Sequence, residues 1–343
     1  MPLQKTLKKL AAKENLTSGE SREAFDLIFT GEMPREQIAS FLLGLRNKGE
    51  TTDEILGAVL SMRSNMLTIK APPDAIDIVG TGGDGHGTLN VSTAAALVVS
   101  ACGVPVAKHG NRAASSLSGS SDTLAALGVN LEPEWEILEQ CLQLIGIAFL
   151  YAPRHHPAMR HVAEVRRELG VRTIFNLLGP LTNPAGVKHH MIGVYDPKWL
   201  LPMAKVLVEL DSERAWLVHG EGIGRDGMDE ISICGPTAVV ETAGKSIDNF
   251  TVTPEQVGLP RATLGDIRGG SAAENAAAIR RLLGGKRGPY RDIVTLNAAA
   301  ALIVAGKAES LIQGMRIAGE AIDSGRARQK LNDLVRVTNY KAG

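Results

Sequence analysis

Ile76-Asp77-Ile78-Val79-Gly80-Thr81-Gly82-Gly83-Asp84-Gly85 is a short apolar run that breaks into a glycine-rich turn. It is answered one βα unit later by Gly103-Val104-Pro105-Val106-Ala107-Lys108-His109-Gly110-Asn111-Arg112. Each apolar run reads as a strand, and each turn as a loop that leads into a helix with Ser or Thr at its start. Backbone N–H groups at such a helix start, together with the helix dipole, hold anionic oxygens. The ligand this implies is a phosphate ester. Ser92 or Thr93 is expected to cap the first helix, over Val91 to Ala101, and a second helix runs from about Ser121 to Leu127. Between them, five of the seven positions 115–121 are serine, a density of hydroxyls suited to a polyanion at close backbone approach.

Gly80, Gly82 and Gly85 also fit the dinucleotide pattern G-x-G-x-x-G. That fold needs an acid for the ribose at the end of the next strand. Here the next strand ends in Lys108-His109, a cation where the acid belongs.

Outward from the two loops, strand candidates recur at Ile147 to Tyr151, Met191 to Val194, Ala215 to Val218 and Ile231 to Cys234, separated by helical stretches. Such alternation predicts a mainly parallel sheet flanked by helices, with both glycine loops at its carboxyl edge. The first seventy or so residues differ: Ala24, Leu27, Ile28 and Ile38, Phe41, Leu42, Leu45 keep helical spacing. Pro34 suits a helix start, and Thr51-Thr52-Asp53-Glu54 is a capping box. Ala71-Pro72-Pro73-Asp74 breaks that pattern. The expected organisation is a small helical domain over 1–72, completed by a returning helical segment at about 157–185, and an α/β domain over 73–343. The tail from Ala272 is Ala/Leu-rich and helical.

Lys and Arg number 37 against 37 Asp and Glu, and no long basic run occurs, so nucleic acid is not an expected partner. Cys102, Cys141 and Cys234 lie far apart with no C-x-x-C pair and read as reduced core residues. The N-terminus carries no hydrophobic signal region and no apolar run reaches a membrane span, so a cytoplasmic location is expected. His155-His156 and His189-His190 lack zinc-type spacing to further ligands.

Four stretches carry a resemblance: GTGGDGHGTLNVST from Gly80, KHGNRAASS from Lys108, VRRELGVRTIFNLLGPLTNP from Val165, and Asp229-Glu230 within MDEIS. In these the chain resembles the anthranilate phosphoribosyltransferase family, over essentially its whole length. The resemblance implies the nucleoside phosphorylase/phosphoribosyltransferase-like fold, with a small helical domain beside the larger α/β one. It implies transfer of a phosphoribosyl group from phosphoribosyl pyrophosphate to anthranilate. Gly80, Gly83, Asp84, Thr88, Asn90, Val91, Ser92, Thr93, Lys108, His109, Gly110, Asn111, Arg112, Ala113, Ala114, Ser115, Ser116 and Ser120 match the phosphoribosyl pyrophosphate positions. Gly80, Asn111 and Arg166 match positions that hold anthranilate, and His109, Tyr151, Ala152, Pro153 and His156 match the walls of its channel. Ser92, Asp229 and Glu230 match the magnesium positions, with two Mg2+ ions implied, and a homodimer through the helical domain is implied as well. The residues leave two other readings: pyrimidine nucleoside phosphorolysis on the same fold, and a phosphate- or nucleic-acid-binding relative without catalysis. Two departures from the family pattern stand out. Leu117 occupies a place where the family commonly has Lys or Arg, and the Gly220–Met228 stretch is long, with Arg225 able to supply the missing charge.

Overall fold

A computed structural model of the chain describes residues 2–112, 117–222 and 227–340. Helices α1 (Pro2–Ala11), α2 (Ser18–Thr30), α3 (Arg35–Lys48) and α4 (Thr52–Ser64) come first. β1 (Ile76–Gly80), α5 (Val91–Ala101), β2 (Val106–Gly110), α6 (Ser120–Ala126), α7 (Trp135–Gln140) and β3 (Ile147–Tyr151) follow. A helical excursion of α8 (Ala152–His155), α9 (Arg160–Leu169) and α10 (Phe175–Leu178) precedes β4 (His189–Gly193), α11 (Leu200–Glu209) and β5 (Arg214–Glu221). Strands β6 (Gly227–Met228), β7 (Thr237–Ala243) and β8 (Ser246–Val252) complete the sheet. Helices α12 (Ala272–Leu283), α13 (Pro289–Val304), α14 (Leu311–Asp323) and α15 (Arg326–Thr338) close the chain.

The sheet runs β3-β2-β1-β4-β5-β7-β8, with β6 on β5. From β3 to β5 every pairing is parallel, whereas β6, β7 and β8 add antiparallel. Strand order reverses at β1, which has β2 on one side and β4 on the other. That reversal opens a crevice at the carboxyl edge. The parallel strands β1 to β5 are buried on both faces over most of their length, as a sheet covered on both sides requires, whereas β8 at the antiparallel edge is mostly exposed. Ile78, Met191, Trp216 and Val218 join one core with α5 and α13. Their neighbours Val79, Ile192, Ala215 and Leu217 join the other, with α2, α3, α4 and α11.

The N-terminal helices are set by local chemistry. Thr17 and Thr51 close capping boxes with Glu20 and Glu54, and Gly31 ends α2 in the left-handed region. α9 packs on α2 and α3, and α10 on α4. Phe175 of α10 meets Phe25 edge-on at 5.6 Å, so the excursion shares the aromatic core of the N-terminal helices.

Two expectations are corrected. Ile231–Cys234 is not a strand, because side chains take its backbone groups. Asn297 accepts from the Ile231 N–H and donates to its carbonyl, and Thr237 and Ser232 hydroxyls accept from the N–H groups of Ser232 and Cys234. The sheet continues instead through β7 and β8, joined by the two-residue turn Gly244-Lys245 with Gly244 at φ +56°. Second, α5 starts at Val91 with Asn90 as its N-cap, so Ser92 and Thr93 lie inside the first turn.

Candidate active site

β1 and β2 share a single register pair, Ile76 with Val106, and the backbone ladder between them is interrupted beyond it. The buried Asp77 carboxylate bridges the gap. Its Oδ1 accepts from the His109 N–H at 3.0 Å, and its Oδ2 accepts from Asn183 Nδ2 at 2.7 Å. Asn183 Nδ2 also donates to the Ala107 carbonyl at 2.8 Å. Burial pushes Asp77 up to about 6, against the pull of Lys108. This wedge aims Lys108 and His109 from β2.

Lys108 is buried, and its Nζ donates to the Ile78 carbonyl at 2.5 Å and to Ser92 Oγ at 3.4 Å. Burial lowers its pKa, while Asp77, Glu230 and Asp229 support the charge. His109 Nδ1 lies 3.1 Å from the Gly179 carbonyl and its Nε2 3.3 Å from His156 Nε2. Burial holds His109 well below the ordinary histidine value and His156 down to about 4, so both rings are neutral at pH 7. With Nδ1–H given to Gly179, His109 Nε2 accepts and His156 Nε2–H donates.

The first glycine loop bends through Gly82, Gly83, Gly85 and Gly87, all at positive φ between 60° and 82°. Above it lies the acidic pair. Asp229 Oδ2 accepts from the Gly82 N–H at 2.7 Å. A Cβ at Gly80 would lie 2.2 Å from that oxygen, and one at Gly193 would lie 1.5 Å from the Asp229 carbonyl oxygen. These two glycines at the ends of β1 and β4 are therefore the seat of the acidic segment, over the crevice where strand order reverses. Glu230 Oε1 accepts from the Ser92 N–H at 3.1 Å. Because Asn90 makes no side-chain cap, a carboxylate 138 residues beyond Ser92 along the chain satisfies an orphan donor of α5. Burial raises Asp229 to about 7 and Glu230 well above its usual range, and Asp84 adds repulsion to both.

This donor set fits a hard dication. Two half-buried carboxyl groups on one spot, with Lys108 as the nearby cation, leave negative charge to be neutralised once both are ionised. Among the described residues no three His, Cys, Asp or Glu side chains form a complete cage. Mg2+ characteristically takes one or two carboxylates and completes its shell with water and phosphate oxygens.

The other predicted residues divide as follows. Asn111 is exposed, with Oδ1 accepting from the Arg112 N–H, and Arg112 Nε donates to Tyr151 Oη at 3.0 Å. Ser120 Oγ donates to the Asn111 carbonyl, closing the base of the second loop. Thr88 forms an isolated bridge with Arg268. Thr93 is buried within α5, and Val91 belongs to the core below it. Ala152, Pro153 and His156 follow directly on β3. Arg166 on α9 is half-buried over the Phe175 ring at 5.2 Å, and no carboxylate pairs with it among the described residues. Burial lowers its pKa. Leu117 is 83% exposed. Ala113, Ala114, Ser115, Ser116 and Arg225 lie outside the described residues.

Sequence reasoning missed Arg172. Its carbonyl accepts from Arg46 on α3, its guanidinium stacks on Tyr195 at 4.2 Å, and a Cβ at Gly83 would come 3.4 Å from its Nη2. It brings a cation from the helical excursion to the first glycine loop. The signal was present in the Gly170-Val171-Arg172 sequence, where glycine ends α9 in the left-handed region and turns the chain back. Asp77 and Asn183 were also missed as site-shaping residues, since an Asp inside an apolar strand carries no spacing signal.

Residues 72–328 match the α/β-domain model of a glycosyl transferase family, and residues 4–66 match that family's helical-bundle model. An anthranilate phosphoribosyltransferase from Methylocella silvestris is 58% identical over 97% of this chain and 94% of its own length. The crystal structure of anthranilate phosphoribosyltransferase from Thermus thermophilus superposes with a TM-score of 0.91, at 46% identity, covering 98% of this chain and 99% of that one. The enzyme from Saccharomyces cerevisiae, in complex with phosphoribosyl pyrophosphate and Mg, superposes with a TM-score of 0.89 at 28% identity, covering 98% and 97%.

Proposed function

The chain belongs to the anthranilate phosphoribosyltransferase family, and from that premise we propose how its cleft divides between two substrates. The enzyme is a pentosyltransferase of the glycosyltransferase class. It moves the 5-phosphoribosyl group of phosphoribosyl pyrophosphate onto the amine of anthranilate in tryptophan biosynthesis, giving N-(5-phosphoribosyl)anthranilate and pyrophosphate.

The observation that carries the assignment of the site is the acidic pair seated on Gly80 and Gly193, facing Ser92 and Lys108 at the carboxyl edge of the sheet. Gly80, Gly83, Asp84, Thr88, Asn90–Thr93, Lys108–Ser116 and Ser120 hold phosphoribosyl pyrophosphate in this reading. Asn111 and Arg166 grip the anthranilate carboxylate, and His109, Tyr151, Ala152, Pro153 and His156 wall its approach. The unpaired Arg166 guanidinium supports that role, because a half-buried cation without a protein anion is completed by a ligand carboxylate.

Ser92, Asp229 and Glu230 would hold Mg2+, two ions in our reading, and the metal supplies charge neutralisation for the leaving pyrophosphate. The yeast relative's complex with phosphoribosyl pyrophosphate and Mg supports this. An aryl amine is neutral at pH 7 and already nucleophilic, so the protein needs no strong base. Its own contribution is to bind both substrates in reacting geometry, an effect with a ceiling of about 7–11 kcal/mol, and to offer backbone N–H groups to developing negative charge. Neutral His109 and His156 suit a channel for a weakly polar ring.

The split into a helical part, 1–72 completed by 157–185, and an α/β part, 73–343, gives the two substrates separate supports whose approach excludes water. Arg172 reaching Gly83 from the excursion supports that arrangement. A homodimer through the helical part and a cytoplasmic location complete the reading. Among the described residues no helix is long and apolar enough to cross a membrane.

Anthranilate's own fluorescence tests the assignment. A decay that requires protein, phosphoribosyl pyrophosphate and Mg2+, and that stops with EDTA, is the expected result. Stable folded protein that leaves the signal unchanged, yet releases base from thymidine in phosphate, would overturn it.

A further inference from the structure

Asn90 is the N-cap residue of α5, yet its side chain caps nothing. Its Oδ1 accepts two hydrogen bonds from elements remote in sequence: from Thr123 Oγ1 on α6 at 2.6 Å and from Asn275 Nδ2 on α12 at 2.9 Å. Tyr290 at the start of α13 donates to the Asn90 carbonyl at 3.1 Å. Such convergence on one polar side chain is more than a helix start needs.

The polarity of this node is set by the backbone. The Gly270 N–H donates to Asn275 Oδ1 at 2.9 Å, and a backbone N–H can only donate. Asn275, itself buried, must therefore turn Nδ2 toward Asn90. Asn90 must in turn present Oδ1 and direct its NH2 group away from α6 and α12. Those two N–H donors have no partner among the described residues. Having given its proton to Asn90, the Thr123 hydroxyl accepts from Ser118 Oγ at 2.8 Å, which extends the run into the serine-rich segment. At the other end, Gly269 N–H donates to the Gly87 carbonyl at 2.8 Å and Leu89 N–H to the Ile267 carbonyl at 2.9 Å. The segment that orients Asn275 is thereby pinned to the first glycine loop.

We propose that Asn275 and Thr123 are positioning residues of the phosphoribosyl site: they lock the Asn90 amide so that its N–H donors face phosphoribosyl pyrophosphate, and they tie both phosphate loops to the start of α5. This rests on the assignment of that substrate to the cleft.

Thr123→Val keeps shape and charge but removes the donor to Asn90. Asn275→Asp presents oxygen to oxygen and favours an inverted Asn90 amide. Each is expected to raise KM for phosphoribosyl pyrophosphate about tenfold, the worth of roughly one hydrogen bond, while KM for anthranilate stays within about twofold. Tm should hold in Thr123→Ser and fall in Asn275→Asp, which buries a carboxyl group; Thr123→Ser should keep the wild-type KM, and the double variant should raise KM little more than either single one, because both act through one amide. An unmoved KM for phosphoribosyl pyrophosphate in both variants overturns the proposal, as does a parallel change in both KM values and kcat with a lowered Tm. A wild-type chain that consumes no anthranilate overturns the underlying reading as well, so the two failures are told apart by the wild-type control.

Discussion

A methyl group at Gly193 would occupy space that the Asp229 carbonyl already fills, 1.5 Å away, so any side chain there displaces the acidic pair from its seat. A shift of about an ångström in a positioned group costs about a hundredfold in rate, and Gly193→Ala is expected to lower kcat/KM by about that much. Steady-state kinetics check it, and near-wild-type activity would mean that the acids are not part of the site. In the proposed reading Arg166 acts by its charge instead. Arg166→Ala should raise KM for anthranilate tenfold or more, as loss of a charge-assisted bond does, with KM for phosphoribosyl pyrophosphate little changed. Equal effects on both constants would remove its carboxylate role. At this scale the sequence was most informative: both loops, the acidic pair and Arg166 stand within recognisable motifs. Asp77, Asn183 and Arg172 were not legible, because their contacts join residues 106 and 126 positions apart or rest on a bare turn, where no local spacing exists to be read.

Among the elements, α4 depends on one buried acid. Glu54 takes the Leu16 N–H at 2.9 Å, the Thr51 N–H at 2.8 Å and Lys48 Nζ at 2.9 Å, with its side chain 0% exposed. Removing one partner of a buried pair typically costs about 3–5 kcal/mol, so Glu54→Ala should destabilise the protein by that order, against about 1 kcal/mol for Thr51→Ala at the cap. Urea titration separates the two. The capping box was legible at Thr51 and Glu54, but nothing in the sequence showed that the same carboxylate also holds Leu16. Parallel strands were found because they are continuous apolar runs. Ile231–Cys234 is equally apolar and is not a strand, since Asn297 and Thr237 compete for its backbone groups, and that competition is tertiary. The β7–β8 hairpin was marked by Gly244-Lys245 between alternating segments, but the strand candidates stopped at Cys234 and did not reach it.

For the molecule as a whole, two sets of buried groups give opposite dependences of stability on pH. Burial raises Asp77 to about 6, Asp229 to about 7 and Glu230 in the same direction, so the folded chain holds protons that the unfolded chain has released. Their stabilisation is present below about pH 4 and is lost as pH rises through about 6–7. Burial lowers His156 to about 4 and His190 to about 3, and their contribution is present above about pH 6.5 and is lost as pH falls toward those values. A metal bound to deprotonated Asp229 and Glu230 cancels their part of the first set and leaves that of Asp77. The rise in Tm on adding Mg2+ alone should therefore be small near about pH 5.5, larger near about pH 7.5, and abolished by EDTA. An equal rise at both values would place the ion elsewhere.

The resting place of Asp229 on Gly80 and Gly193 also has a consequence in time. That seat does not exist in the chain before β1 and β4 lie side by side, and β4 arrives only after the excursion through α8, α9 and α10. Helices α1 to α4 pack on one another and do not need that pairing, whereas the acids do. In the proposed reading, competence to bind the metal at these acids requires that register and reports that it has been made.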